Sequence, residues 1–497
     1  MTARIKLKVF FLCFFMALSI GMAFATEEAT VEGNTQSNEI LIKVGLAKEL
    51  TSVVTRIDEG QYRIRDAATG LPILTITQGD TLQFNKAGTS IQVILNGSNQ
   101  GSYKGPMLME AVDKTQLNLF SFRNVRYRDD LRILNDDLLV AVNVLDIDKY
   151  LYGVVGPEMG LFAPIEALKA QAVVSRSYAL NLLRSTNKWD VGIDTATQVY
   201  HGYNAETQVN ADKAIKAVNE TRRQVIYYDF KSGVNNKPIA AYFHANAGGH
   251  TENSENVWLN PVPYIKATPS PYDSYALDYP NQDNKGWPAS SYSWTVSYSR
   301  SQLLDLIGQW NTNQSQRGAL EEMVLVGRLE DIKVNREQRD STEETLSRRV
   351  TRIDYVGSEG TVSLWRERNR TLFGIKSTLY DIRLDSQLAM LNGNGIITTI
   401  TRGLDLIGIG SRGNVQSANA SQEEYYVLGA QGKISTIPKI FQQVTIEGKG
   451  HGHGLGMSQW GAMGMANAGY NYQDIIQHYY NQGKNDGILV MMEYIIQ

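Results

Sequence analysis

The sequence predicts an α+β fold, and three observations carry that prediction. Runs of β-branched residues separated by glycines occupy positions 40–143. A single long segment at 164–184 repeats apolar residues at helical spacing. The later strand-like and helical segments do not alternate regularly, as α+β proteins do not. No solenoid-type repeat is present.

The elements follow in order. Arg4, Lys6 and Lys8 precede an apolar run, Val9–Met22, which ends at Ala23-Phe24-Ala25. That layout is a secretory signal peptide over 1–25; the alternative is an uncleaved anchor. Thr26–Glu39 is polar and reads as a disordered tether. Ile40–Val44, Tyr62–Ile64, Ile73–Ile76, Ile91–Leu95 and Val140–Val144 read as strands, with Gly60, Gly70, Gly79 and Asn96-Gly97 as turns. They define a β-rich region over 40–140. Pro164 opens the helix in which Ile165, Leu168, Ala172, Ala179 and Leu182 recur. Further helices are expected at 211–221 and 300–310, and strands at 224–228, 239–243, 325–334, 349–355 and 361–364. Residues 259–293 read mostly as loop, and 410–422 reads as a loop rich in Gly, Ser and Asn. A catalytic core at 141–310 precedes a β-rich insert at 311–440. A glycine-alternating loop and helices at 458–468 and 472–481 then complete the core within 441–497.

Composition excludes several classes. Net charge is −3 and charged residues make up 20%, so no basic field points to nucleic acid. Cleavage after Ala25 removes three basic residues and takes the charge to −6. The one cysteine, Cys13, lies in the signal segment, so the mature chain has no disulfide framework and no Cys-based metal site. A mean hydropathy of −0.28 excludes a polytopic membrane protein. The expected location is extracytoplasmic, secreted or wall-associated, with a membrane link only through residues 9–25 if they are retained.

Five constellations could carry chemistry. In Tyr150-Leu-Tyr-Gly-Val-Val-Gly-Pro-Glu158-Met, apolar neighbours surround Glu158, and such a setting raises a carboxyl pKa toward that of a general acid. On the 164–184 helix, Gln171, Arg176 and Tyr178 interrupt an apolar and small-residue pattern and need partners where buried. Gln198-Val-Tyr200-His201-Gly-Tyr203 suits a sugar cleft, in which rings stack on pyranose faces. His244, Gly249 and His250 share a segment with a double glycine, and acidic neighbours raise the question of zinc, although the spacing is unlike His-Glu-x-x-His. In Gly448-Lys-Gly-His451-Gly-His453-Gly-Leu-Gly-Met-Ser458-Gln459-Trp-Gly, two histidines two apart would face the same way on an extended segment. Ser458 would cap the following helix.

Taken together, these motifs closely resemble the SpoIID/LytB family of bacterial cell-wall proteins, from about Ile40 to Tyr480. The resemblance implies a peptidoglycan lytic transglycosylase. It would cleave MurNAc–GlcNAc bonds in glycan strands stripped of stem peptides and leave 1,6-anhydro-MurNAc ends. Glu158 stands at the family's catalytic glutamate. One carboxyl suffices where the substrate's own C6 hydroxyl is the nucleophile, unlike hydrolysis, which uses two. The polar residues named above, from Gln171 to Gln459, are then candidate substrate contacts. The amidase-enhancer members imply an alternative, a non-catalytic wall-binding partner of an amidase. A metal-dependent hydrolase using His244, His250, His451 and His453 is a third reading. The chain departs from the family in two places. Gly160 follows Glu-Met where proline is common, and Val191–Gln198 lacks the cysteines that hold zinc in some members. No metal or other cofactor is therefore expected.

Overall fold

In the computed structural model the described residues are 39–494, excluding 231–236, 259, 279–286, 387, 392–396, 401–406, 410–414, 418–423 and 429–433. The expected signal segment, Cys13 and the expected tether up to residue 38 lie outside them. Among the described residues no helix is long and apolar enough to cross a membrane.

The N-terminal region is two six-stranded antiparallel sheets. The first runs in the order 41–50, 139–146, 130–135, 107–111, 61–66 and 72–77; the second runs 125–128, 119–122, 52–59, 81–87, 90–95 and 98–103. Strands such as Gln61–Asp66 alternate exposed and buried residues, the mark of one wetted face. Leu139–Asp146 is buried along its whole length. Leu139, Ala141 and Leu145 join the main core, while Val140, Val142 and Val144 pack under Trp189. Asp146 then caps the helix Ile147–Tyr152 by accepting the Asp148 N–H at 2.9 Å.

The expected central helix spans Ile165–Leu182, with Pro164 as its N-cap. It is buried on nearly every side, so its weak amphipathic pattern reflects a core position and not a surface stripe. The helices Ala211–Glu220, Gln459–Asn467 and Tyr472–Asn481 pack around it, all within two residues of their expected ends.

A second hydrophobic cluster forms a separate lobe. It joins Leu303, Ile307 and Trp310 to Ile332, Ile353, Tyr355, Phe373, Val444 and Ile446. Its helix runs Arg300–Arg317, so the boundary expected at 310/311 falls inside one element of this lobe. Strand Gln443–Lys449 pairs with both Ser293–Ser299 and Leu379–Leu384. It therefore begins in this lobe before the chain returns to the main core. Two local expectations are corrected. Of the strand expected at 239–243, only Phe243–His244 forms, pairing in parallel with Met457–Ser458. Within the loop expected at 410–422, Val415–Ser417 pairs with Ile407–Ile409.

Candidate active site

Glu158 lies in the one-turn helix Val155–Met159, directly after the buried strand and its capped helix. Gly160 ends that turn at φ 87°, and a Cβ there would lie 2.4 Å from the Phe162 ring. Proline, fixed near φ −65°, cannot adopt this backbone, which accounts for the glycine in this chain. One carboxylate oxygen of Glu158 accepts the Val199 N–H at 2.6 Å. Burial pushes the Glu158 carboxyl up to about 7, with Val199 and the Gln459 amide opposing. No other carboxylate contributes to that shift.

Three glutamines expected in the site form one polar network behind Glu158. The Gln459 amide donates to the Glu158 main-chain carbonyl at 2.9 Å and to Gln171 Oε1 at 3.3 Å. Gln171 donates to Ser175 Oγ, Gln198 donates to the Ser175 carbonyl, and Tyr150 OH donates to Gln198. Buried polar groups satisfied in this way rigidify their surroundings. Gln171 and Gln198 have no exposed surface, so they support the acid and do not line a cleft.

Arg176 is corrected in the same sense. It is fully buried, and its guanidinium donates to Asp148, the Gln224 carbonyl and the Val218 carbonyl. It ties the central helix to its neighbours. Tyr200 is also internal; its hydroxyl donates to Asn143 at 2.9 Å, and its ring tilts against Tyr150 at 5.0 Å. His201 is exposed.

A row of rings leads away from the acid. Tyr178, whose phenol is raised by burial and less by Tyr242 and the Glu158 charge, meets Tyr242 edge-on at 5.8 Å. Tyr242 meets Trp258 at 4.6 Å, Trp258 meets His453 at 5.2 Å, and His453 meets His244 at 5.4 Å. Tyr178, Tyr242, Trp258 and His453 are all partly exposed. Tyr242 and Trp258 flank the expected His244–His250 segment; only the fold, which brings them against each other and against Tyr178 and His453, marks them as part of one row.

The glycine loop is built by backbone requirement. Gly450, Gly452, Gly454 and Gly456 all have positive φ, between 67° and 107°. Side chains there would strike Asn246 O, His244 Cβ, the Arg349 guanidinium and Tyr242 O respectively. Gly452 therefore breaks the extended geometry on which a shared face for His451 and His453 rested. His451 pairs its backbone with Asn246, while His453 enters the ring row. Leu455 is gripped at both ends: its N–H donates to His453 Nδ1 at 3.0 Å and its carbonyl accepts from His244 Nδ1 at 3.1 Å. Burial and the nearby Arg370 charge lower His453 to about 3 and His451 to about 4; burial also holds His244 well below its usual range. All three are neutral at pH 7.

Ser458 caps the following helix as expected, accepting the Gly461 N–H at 3.3 Å. It also donates to Asp273, whose other oxygen accepts the Gly249 N–H at 2.8 Å. Asp273 is buried, which raises its carboxyl to about 6. It locks the double-glycine turn to the glycine loop, yet it sits in a proline-rich stretch that carries no motif. Arg349, from the second lobe, donates to the Ala247 carbonyl at 2.8 Å and also braces this junction. His250 bonds its own neighbour, the Thr251 carbonyl, and lies outside the ring row. Among the described residues no three His, Cys, Asp or Glu side chains come together as a metal would require.

Comparison with known proteins places these residues. The SpoIID family, described as stage II sporulation protein, matches residues 135–228, which include Glu158, the central helix and Val199. The chain is 26% identical to an uncharacterized protein of Brachyspira hyodysenteriae over 90% of its own length and 92% of that protein. It is 29% identical to the amidase enhancer of Bacillus subtilis over 66% of this chain and 39% of the enhancer. It is 31% identical to stage II sporulation protein D of Bacillus amyloliquefaciens over 28% of this chain and 42% of that protein. The chain thus aligns with under half the length of the enhancer and of the sporulation protein. Residues 135–228, which build the fold around Glu158, are therefore the part of this chain that matches the SpoIID family.

Proposed function

We propose that the protein is an exported peptidoglycan lytic transglycosylase in which Glu158 is the only acid and base. What supports this reading is the half-buried Glu158 carboxyl, held by the Val199 N–H at 2.6 Å and pushed by burial up to about 7, with no second carboxylate acting on it. A carboxyl in that state keeps its proton near neutral pH and can give it to the leaving glycosidic oxygen. The resulting carboxylate then takes the proton of the MurNAc C6 hydroxyl as that oxygen closes on C1. No water enters the bond, so no second carboxyl is required. The ring row from Tyr178 to Trp258 would hold successive sugars by their faces. A wall polymer as substrate fits the signal-peptide layout and the absence of a basic field.

The similarity to an amidase enhancer favours a second reading, in which the domain binds wall glycan and stimulates an amidase without cleaving glycan itself. Glycan strands freed of peptides and incubated with wild type and Glu158→Gln separate the two. Cleavage by wild type alone supports the enzyme. No cleavage by either protein, with amidase stimulation intact in both, supports the enhancer.

A further inference from the structure

A cavity of about 400 Å3 lies in the second lobe, within the size range of small-ligand sites. Arg339, Arg366 and Arg368 line it together with Glu337, Asp340 and Asn256. Arg368 pairs with Glu322, and Arg339 lies 3.3 Å from Asp340. Among the described residues no carboxylate pairs with Arg366. Burial and the charges of Arg339 and Arg368 push its guanidinium below the usual range, with Asp340 opposing. The backbone of Arg366 is also strained, at φ 58° and ψ −133°, a region that residues with side chains rarely adopt. Trp365 beside it carries two guanidinium groups, Arg352 at 5.2 Å and Arg366 at 6.0 Å from its centroid. An unpaired cation held against like charges on a strained backbone costs stability. Such costs gather at binding sites.

We propose that this cavity binds the acidic stem peptide of wall glycan, with Arg366 taking a peptide carboxylate. The identity of the ligand rests on the peptidoglycan reading above. Guanidinium groups match planar carboxylates. Glu337 and Asp340 on the same wall face an amino group and repel a polyanion, which favours a zwitterionic peptide over a phosphate polymer. The cavity also shares a segment of chain with the ring row. Asn256 accepts the Arg339 N–H at 3.1 Å, and Trp258 of the ring row lies two residues further on. The protein would then grip peptide-bearing strands next to the segment it cleaves.

The test is calorimetric titration of the full chain with a synthetic L-Ala–γ-D-Glu–diaminopimelate tripeptide at about 0.15 M salt. Poly(glycerol phosphate) serves as the rival ligand. Wild type binds the tripeptide saturably, Arg366→Gly weakens it at least about ten-fold, and the exposed Arg339→Gln weakens it several-fold. Arg56→Gln, on the N-terminal sheets, leaves binding unchanged. Glycine accepts the Arg366 backbone, so Arg366→Gly also melts higher than wild type and still cleaves peptide-free strands. No tripeptide binding by wild type, tighter binding of the phosphate polymer, or unchanged affinity in both arginine variants overturns the proposal. Failure here leaves the Glu158 reading intact, because cleavage of peptide-free strands is scored separately.

Discussion

The side-chain amide of Gln459 donates to the main-chain carbonyl of Glu158 at 2.9 Å across 301 positions of sequence. The same amide reaches Gln171 on the central helix. The glycine loop therefore delivers, through the first residue of its helix, a donor that fixes the acid from behind. The glycine loop and the segment that carries Glu158 thus meet in one place although they stand far apart in the sequence.

Replacing Gln459 with leucine tests that relationship. The variant loses a hydrogen bond worth about 1 kcal/mol, so cleavage falls roughly five-fold. Gln459 also holds the Glu158 pKa down, so its removal lets that value rise. The alkaline limb of the pH–rate profile then moves to higher pH, a shift that a purely structural loss would not produce.

The raised Glu158 carboxyl has a cost in stability. Its unfolded value is 4.5 and its folded value about 7, so between these the folded state binds more protons. Stability from this group is therefore present below about pH 4.5 and is lost as pH rises to about 7. Glu158→Gln avoids the penalty. It should match wild type near pH 4.5 and exceed it above pH 7 by up to about 3 kcal/mol in denaturant melts.

The loop histidines act in the opposite direction. His453 at about 3 and His451 at about 4 resist protonation that the unfolded chain accepts near 6.5. Stability should fall as pH drops from about 6.5 toward 4. Thermal melts of wild type and His453→Gln across that window check this, and the variant should show a shallower decline.

Two glycine substitutions separate strain from collision. Gly456 and Gly469 both have positive φ, but only at Gly456 would a Cβ strike backbone, 2.0 Å from Tyr242 O. Gly469→Ala should cost about 1 kcal/mol, from conformation alone. Gly456→Ala should cost more than 3 kcal/mol and release the ring row, read as altered tryptophan fluorescence.

Trp258→Ala tests the proposed glycan contact. Loss of one stacking ring should raise KM about ten-fold with kcat little changed, and melting should shift little, because the ring is partly exposed.

Much of this architecture was legible in the sequence because it rests on local chemistry. The strand runs, the Pro164 helix, the Ser458 cap and the apolar setting of Glu158 all follow from residues close together. Partnerships between distant segments were not legible. Arg176 carries the same signal as a binding arginine, and only its buried bonds to Asp148 and two carbonyls reveal a tie. Asp273 and Arg349 brace the loops from segments without a motif. The same-face argument for His451 and His453 failed because Gly452 takes φ 107°. The 310/311 boundary failed because helix 300–317 packs with strands that follow it.

The most direct test of the central claim is the mass of the fragment ends released from peptide-free glycan strands. Attack by the C6 hydroxyl gives 1,6-anhydro-MurNAc ends, each one water lighter than a hydrolysed end. The account predicts these ends from wild type and none from Glu158→Gln. Reducing ends in place of anhydro ends, or equal cleavage by both proteins, would contradict it.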